Sequence, residues 1–457
     1  MARVGGRGLV VLFLAIFIVM MGFGIVLPVL QFYARDVGAT PFQIGLLATS
    51  YAAMQFLFAP LWGALSDRVG RKPIFAVGLL GYAVSFVIFG LSHQVWQLFL
   101  ARMLGGVLSA ATLPTAMAYV GDTTTEERRG GGMGMMGAAM GLGFTIGPGI
   151  GGLLGRHSLS LPFFVAAGLA VLTLLLSWGA LPEPDRLDSS AHRPSRLQSL
   201  RMALGGPLAF FYLVTLVGAF TLAGLEATYA LFAQDRLHLS VAGGAGAIGA
   251  VFVVVGLVQA VILGGLVGRL INRWGEDRLI RSGLVLAAAG YLLITLTHSV
   301  TTLAVYAAVA GAGHSLMRPS IASLISKRTQ AGQGLSIGIM DSFDSLGRVF
   351  GPAWAGWVYH AGIGLPYMSA ALVLLITAAI SVVAVVRRVP AQANTRRGTD
   401  RNSFRASAGR WDRSGAAAAS RDRRRADELA HFLDHRAAGI VIGLDLGAEA
   451  ATLHLAQ

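Results

Sequence analysis

Glu226 stands in Thr221-Leu-Ala-Gly-Leu-Glu-Ala-Thr-Tyr229, a stretch otherwise apolar or small. An ionisable group in such a setting is costly and marks function by default. It can load a proton where its surroundings open to one side and release it where they open to the other. When charged, it can also pair with a cationic ligand. The competing reading is a carboxylate near a helix end, bonded to a neighbour. His314, within Gly311-Ala-Gly-His-Ser315, is a second group suited to proton handling, because imidazole titrates near neutrality. A cavity histidine that only hydrogen-bonds fits equally well. Asp341, Asp344 and Arg348 share one later segment, and Asp344 and Arg348 are i,i+4 neighbours able to form a charge pair. Such a pair offsets its own desolvation only with good geometry, and three roles stay open for it: structural tie, gate or proton handling. Arg102, just past Trp96-Gln97, can bias a carboxylate's proton affinity or snorkel toward lipid headgroups. Arg318, before Pro319, is either an interfacial anchor or a member of the site.

None of this resembles an enzyme, and no catalytic residue or cofactor is expected. There is no Gly-x-x-x-x-Gly-Lys loop for ATP, no His-Glu-x-x-His and no nucleophile elbow. Cysteine is absent from the chain, so disulfides, thiolate metal sites and cysteine nucleophiles are excluded, and no metal is expected. The net charge of +14 could suggest nucleic acid, but the arginines fall in short loops between apolar runs and in a tail, as membrane topology demands. Any work done by these groups must then draw on an ion gradient, or be passive.

The elements that must position them are membrane spans. Hydrophobic residues make up 55% of 457, charged residues 13%, and the mean hydropathy is +0.66. Runs long enough to cross about 30 Å of hydrocarbon are expected near 9–31, 42–63, 74–92, 97–119, 132–155, 161–181, 207–233, 246–268, 279–298, 301–320, 334–357 and 366–386. The first is too long for a signal peptide's apolar core. Nineteen arginines and lysines fall on one set of loops and flanks up to Arg388, against Arg35, Arg156 and Arg236 on the other. The positive-inside rule therefore places both termini in the cytoplasm.

The halves repeat. Gly63-Ala-Leu-Ser-Asp67-Arg68-Val-Gly70 is echoed 205 residues later by Gly268-Arg-Leu-Ile-Asn272-Arg273-Trp-Gly275, and Pro114 by Pro319. Gly143, Gly147, Pro148 and Gly152 return as Gly347, Gly351, Pro352 and Gly356, shifted by 204. The expected architecture is all-α and integral to the membrane: twelve helices in two pseudo-symmetric six-helix bundles. The bundles span 1–181 and 207–388, joined by a cytoplasmic linker at 182–206 and followed by an Arg/Ala-rich tail at 389–457 expected to be disordered.

Eight glycines between Gly134 and Gly152 would ruin a soluble helix. Between membrane helices they permit close, bendable packing. Met133, Met135, Met136 and Met140 beside them suit an adaptable wall or ordinary packing. Asp67 sits where it can meet the positive N-terminal end of the eleventh span. Arg68, Arg71 and Lys72 can then bind headgroups or Asp122, Glu126 and Glu127, and together they would latch one conformational state. Simple positive-inside charge accounts for the basic residues but not for the Asp and glycines.

The stretch Gly63 to Lys72 resembles the signature of the major facilitator superfamily, and Gly134, Gly143, Gly147, Pro148, Gly151 and Gly152 resemble the motif of its drug–proton antiporter branch. Leu98 to Gly106, around Arg102, is similar to that branch's fourth-helix motif, with Gly105 where Gln is usual. Ile25 to Leu30, Leu225 to Thr228, Ala233 to Asp235 and Met317 to Pro319 resemble the NorA/Bmr-type multidrug pumps, with tetracycline efflux proteins close behind. The resemblance covers about residues 8–388. It implies alternating access and proton-driven export of drugs or hydrophobic, cationic small molecules across a bacterial inner membrane. The implied partners are a small-molecule substrate, protons and the bilayer, and the implied state is monomeric. It gives Glu226 the proton, and lines a cavity with Gln55, Arg102, Phe144, Glu226 and Tyr229. Ser315 stands where the family carries a second acid, leaving His314 beside it as a candidate substitute. The charges of the eleventh span are a further departure. The alternatives are a transporter of a single metabolite or antibiotic such as tetracycline, and a membrane sensor acting through the tail.

Overall fold

The computed structural model describes residues 4–124, 126–183, 208–329 and 333–386. They run through twelve helices: α1 (Val4–Asp36), α2 (Pro41–Val69), α3 (Arg71–Gly90), α4 (Val95–Thr123), α5 (Glu126–Gly155), α6 (Leu161–Ala180), α7 (Ala209–Leu237), α8, α9 (Glu276–Thr295), α10 (Val300–Arg328), α11 (Gln333–Tyr359) and α12 (Leu365–Val386). The helix α8 joins Val241–Val261 to Val267–Trp274 through the π-turn Ile262–Leu266. No strand occurs among the described residues. Nearly all of this lies in one unit, Met1–Val385. Apart from Pro182 and Glu183, the expected linker lies outside the described residues, as does the expected tail.

Among the described residues eleven of the helices are long and apolar enough to cross a membrane. The other, α11, has 27 residues and the length to do so, but Asp341, Asp344 and Arg348 interrupt its apolar run. Large apolar side chains such as Leu175, Trp178, Leu257, Val261, Leu372 and Ile376 are exposed, as lipid-facing surfaces require. The chain is a multi-pass membrane protein.

Local chemistry sets the helix ends. Thr40 and Gln43 form a reciprocal capping box at the start of α2, and Ser299 and Thr302 do the same for α10. A single residue separates α2 from α3 and α8 from α9: Gly70 at φ 123° and Gly275 at φ 79°, conformations that L side chains rarely adopt. The helix α4 breaks at Ala110-Ala111, where Pro114 removes the amide that would have bonded back to Ala110. Most spans exceed their expected bounds by several residues, because polar ends continue the helix beyond the apolar stretch.

Packing repeats between halves. Within them, α1 pairs with α5 as α7 does with α11, and α3 with α4 as α9 does with α10. Between them, α2 meets α11 and α5 meets α8. Glycine makes each of these approaches possible. A Cβ on Gly147 would lie 2.5 Å from the Met21 carbonyl oxygen, and one on Gly351 2.1 Å from that of Phe220. Across the halves, Gly45 lies against the Pro352 carbonyl and Gly356, while Gly249 lies against the Pro148 carbonyl and Gly152. These two seams are the same contact, repeated at the offset of 204 seen in the sequence.

Both seams part in one direction. Toward the ends that carry Asp67 to Lys72, Arg269, Arg273 and Arg278 (the basic face), Gly63, Gly134, Gly137, Gly141, Gly264, Gly268 and Gly338 face open space. Toward the opposite face the halves are tied. Arg35 of α1 donates to Asp235 Oδ1 of α7 at 2.7 Å and to Gln234 Oε1 at 3.2 Å, and within the C-terminal half Tyr359 of α11 holds Asp235 by donating to its Oδ2 at 2.8 Å. The result is a cleft open on the basic face and closed on the other.

Candidate functional site

The cleft has two unlike walls. On the C-terminal side, α11 lies so close to α7, through Gly347 and Gly351, that its charged face comes beside Glu226. Arg348 donates from Nε to Asp344 Oδ2 at 2.9 Å, as the i,i+4 spacing allows. The Arg348 side chain is 42% exposed and that of Asp344 14%, so the guanidinium faces the cleft. Glu226 is within electrostatic range of both. Asp341 is in turn within range of Asp344, and Arg318 reaches Asp341 at 3.4 Å with both side chains well exposed. Charge thus runs along α11 from Arg348 toward the basic face.

Glu226 sits on the seam between the halves. Gln31 of α1 donates its amide N–H to the Glu226 carbonyl oxygen, which fixes the backbone there against the N-terminal half. His314 is buried, and its Nε2 lies 3.0 Å from the Tyr291 hydroxyl of α9. It is therefore hydrogen-bonded behind the cleft wall. Ser315 returns its hydroxyl to the Gly311 carbonyl of its own helix at 2.9 Å.

The N-terminal wall is aromatic and neutral at its surface. Gln55 Nε2 donates to the Tyr51 hydroxyl at 3.0 Å, and that hydroxyl lies 3.0 Å from Ser109 Oγ. The Tyr51 ring neighbours Phe23, which neighbours Phe144, with centroids 5.9 and 6.1 Å apart. Behind Tyr51, the Arg102 guanidinium lies 5.3 Å from the Tyr51 and Phe89 ring centroids. Arg102 is 7% exposed and its Nε has no hydrogen-bond partner. Its charge reaches the cleft through an aromatic ring rather than by direct exposure.

Two placements differ from the sequence expectations. Tyr229 does not line the cleft: it is 2% exposed, with its hydroxyl on the Leu303 carbonyl at 3.1 Å and its ring beside Phe252. Three residues along a helix turn it about 60° away from Glu226, into the packing of α7 against α8 and α10. Arg102 is likewise set back from the surface. Three residues were missed altogether: Tyr51, Gln31 and Tyr291. Tyr51 was legible as an aromatic one helical turn before Gln55, and Gln31 as the polar residue ending an apolar run. Nothing in the sequence points to the pairing of Tyr291 with His314.

On the basic face Asp67 pairs with Arg71 at 2.5 Å, and Arg71 also reaches Asp122 at 2.8 Å and Ser66 Oγ at 2.6 Å. Arg68 is exposed, and Lys72 lies over the Trp178 ring at 5.3 Å. The side chains of Glu126 and Glu127 lie outside the described residues.

A family model described as Major Facilitator Superfamily matches residues 12–267 and 245–427. Multidrug resistance protein 1 of Bacillus subtilis is 32% identical over 381 residues, covering 82% of this chain and 95% of that one. Quinolone resistance protein NorA of Staphylococcus aureus is 28% identical over 367 residues, covering 79% and 92%. Among solved structures, a bacterial homologue of the human lysosomal transporter Spinster superposes with a TM-score of 0.70 at 18% identity, covering 84% of this chain and 97% of that one. With its repeated halves, glycine seams and basic-face motif, the chain belongs to the Major Facilitator Superfamily.

Proposed function

We propose that this chain is a proton-coupled secondary transporter that exports drugs or other hydrophobic, partly cationic small molecules by alternating access across a bacterial inner membrane. The observation that carries the reading is Glu226, a carboxylate on the seam between the halves, beside the charges of α11. A proton site on the seam is exposed to whichever side is open, which is what coupling requires. The aromatic wall of Tyr51, Phe23 and Phe144 suits large, greasy cargo. The two relatives, a multidrug and a quinolone resistance protein, support drugs as that cargo.

The arginine-rich basic face is the cytoplasmic one by the positive-inside rule, so both termini are cytoplasmic and the cleft is open inward. The helix bundles end near 181 and 388, with the linker between them. The protein works as a monomer without cofactor or enzymatic step, its partners being substrate, protons and lipid.

The test is substrate-induced proton release from purified protein, screened across lipophilic cations, quinolones and tetracyclines. Glu226→Gln should abolish release while leaving the protein folded in the membrane. Release that persists at the level of the unaltered protein overturns the reading. Release with a single compound of the screen would narrow the substrate class to that antibiotic.

A further inference from the structure

The Glu226 carboxylate makes no hydrogen bond among the described residues, although it is the acid on the seam. Of the helices packed against α7, α2 and α8 bring no charge among the described residues that acts on Glu226. From α1 comes the Gln31 amide, already used on the Glu226 backbone. From α9 comes Tyr291, bonded to His314 of α10. From α12 comes the Tyr367 hydroxyl, 3.3 Å from Thr228 Oγ1. Both charges that act on Glu226, Arg348 and Asp344, come from α11. His314 lies within range of Arg348, and Asp341 within range of Asp344.

Arg348 spends one N–H, its Nε, on Asp344. A guanidinium has four more, arranged to grip a second carboxylate. The side chain is 42% exposed, which leaves its terminal nitrogens room to turn. A pair kept only to tie one helical turn is weak, too weak to offset the placing of two charges in a spanning segment. A shared cation between two carboxylates gives them a reason to be there.

We propose that Arg348 is the exchangeable counter-cation of Glu226, with Asp344 as its resting partner. The inference rests on the reading of Glu226 as the proton carrier. While Glu226 is protonated and neutral, Arg348 stays on Asp344. When the Glu226 proton passes to water in the cleft, a carboxylate is left in a poorly solvated place. Arg348 then turns its terminal N–H groups to Glu226, and Asp344 takes water in its place. When Glu226 regains a proton from the other side, Arg348 returns. Asp344 competes for the guanidinium and so keeps it from locking Glu226 in the charged form. Arg348 and Asp344 are positioning residues, acting through Glu226.

The experiment reads Glu226 directly, without a ligand. Purified full-length protein is titrated with pH while the infrared carbonyl band of protonated carboxyl groups is followed, and the Glu226 band is the one lost in Glu226→Gln. Arg348→Gln should move its midpoint up by about one pH unit, and Asp344→Asn should move it down by a similar amount. Arg348→Lys should restore at least half of the first shift. The deciding arm is the double variant. If Asp344 acts through Arg348, then Asp344→Asn adds little once Arg348 is Gln. Additive shifts, or no shift in either single variant, overturn the exchange. If Arg348→Gln does not fold, the same cycle is run with Arg348→Met. If no titrating band is lost in Glu226→Gln, it is the proton-carrier reading that fails.

Discussion

In the N-terminal half Arg71, the first residue of α3, donates to Asp122 near the end of α4 at 2.8 Å. In the C-terminal half, 205 residues later, Glu276 begins α9 and accepts from Lys327 near the end of α10. The next pair of positions gives Asp277 with Arg328 at 3.0 Å. Acid and base have changed places at corresponding positions, while the tie between helices is kept. A helix N-terminus favours negative charge. The helix α9 meets that preference with its own Glu276 and Asp277. The helix α3 begins with Arg71 and Lys72, and its acid comes from outside: Glu183, just after α6, accepts from the Arg71 and Lys72 amides at 2.5 and 3.0 Å. Gly70 leaves room for it, since a Cβ there would lie 2.7 Å from Glu183 Oε1. The contact is common to both halves while its charges differ, and only the N-terminal half takes the acid for its helix start from outside that helix, at Glu183.

The strongest way to break the equivalence of the halves is through the glycines they share. A Cβ on Gly351 would meet the Phe220 carbonyl, and one on Gly147 the Met21 carbonyl and Gly24. Gly351→Val and Gly147→Val should each cost on the order of 3 kcal/mol and lower both folded yield and melting temperature. Gly141→Ala, which faces open space, should melt like the unaltered protein. Equal behaviour of Gly351→Val and Gly141→Ala would show that the helix contacts within each half tolerate slack.

These close contacts were legible in advance because backbone approach leaves glycine as its trace, and duplication prints the trace twice. Gly147 with Pro148 and Gly351 with Pro352 announced both the helices and their equivalence. The span count was legible for the same reason that lipid imposes length. The site was less so. Glu226 stood out against an apolar background, and the Asp344–Arg348 pair followed from helical spacing. Tyr229 misled because sequence proximity to Glu226 says nothing about a 60° turn of the helix. Tyr291 with His314, and Glu183 with α3, join residues 23 and over 100 positions apart, where no local pattern reaches.

Of the two ties, Arg71–Asp122 and Glu276–Lys327, the N-terminal one should matter more. The side chains of Arg71 and Asp122 are only 13% and 21% exposed, and Arg71 also serves Asp67 and Ser66. Asp122→Asn should cost about 2 kcal/mol, read as a lower melting temperature. Arg71→Lys should not match the native residue, because one ammonium lacks the planar fork that spans three partners. The comparison can be sharpened by importing the other half's polarity. Arg71→Glu with Asp122→Lys should fail, because Asp67 and Glu183 would face the new acid. Adding Asp67→Asn, which copies Asn272, and Glu183→Gln should recover stability.

Glu183→Ala removes the borrowed cap alone. A lost helix cap costs about 1 kcal/mol, and the loss should appear in the N-terminal half as faster hydrogen exchange at the Arg71 and Lys72 amides. The start of α9, which carries its own acids, should be unchanged. Faster exchange at both starts, or at neither, would contradict the division of labour drawn above.

The C-terminal pair is the mildest case. The side chain of Lys327 is 64% exposed while that of Glu276 is 17% exposed, so water screens the contact. Pairs of this kind contribute about 0.5 kcal/mol. Lys327→Met should therefore lower the melting temperature only slightly, and less so in high salt. Glu276→Gln should cost more than its partner's loss, because Glu276 also accepts from Ser323 at 2.9 Å and supplies charge to the start of α9. A double-mutant cycle separates the two contributions: the coupling between 276 and 327 should be small, and the residual cost of Glu276→Gln should persist when residue 327 is already Met. A large coupling would mean that the two ion-pair ties are equivalent in strength despite their different burial. The N-terminal half would then have no energetic reason to draw on Glu183.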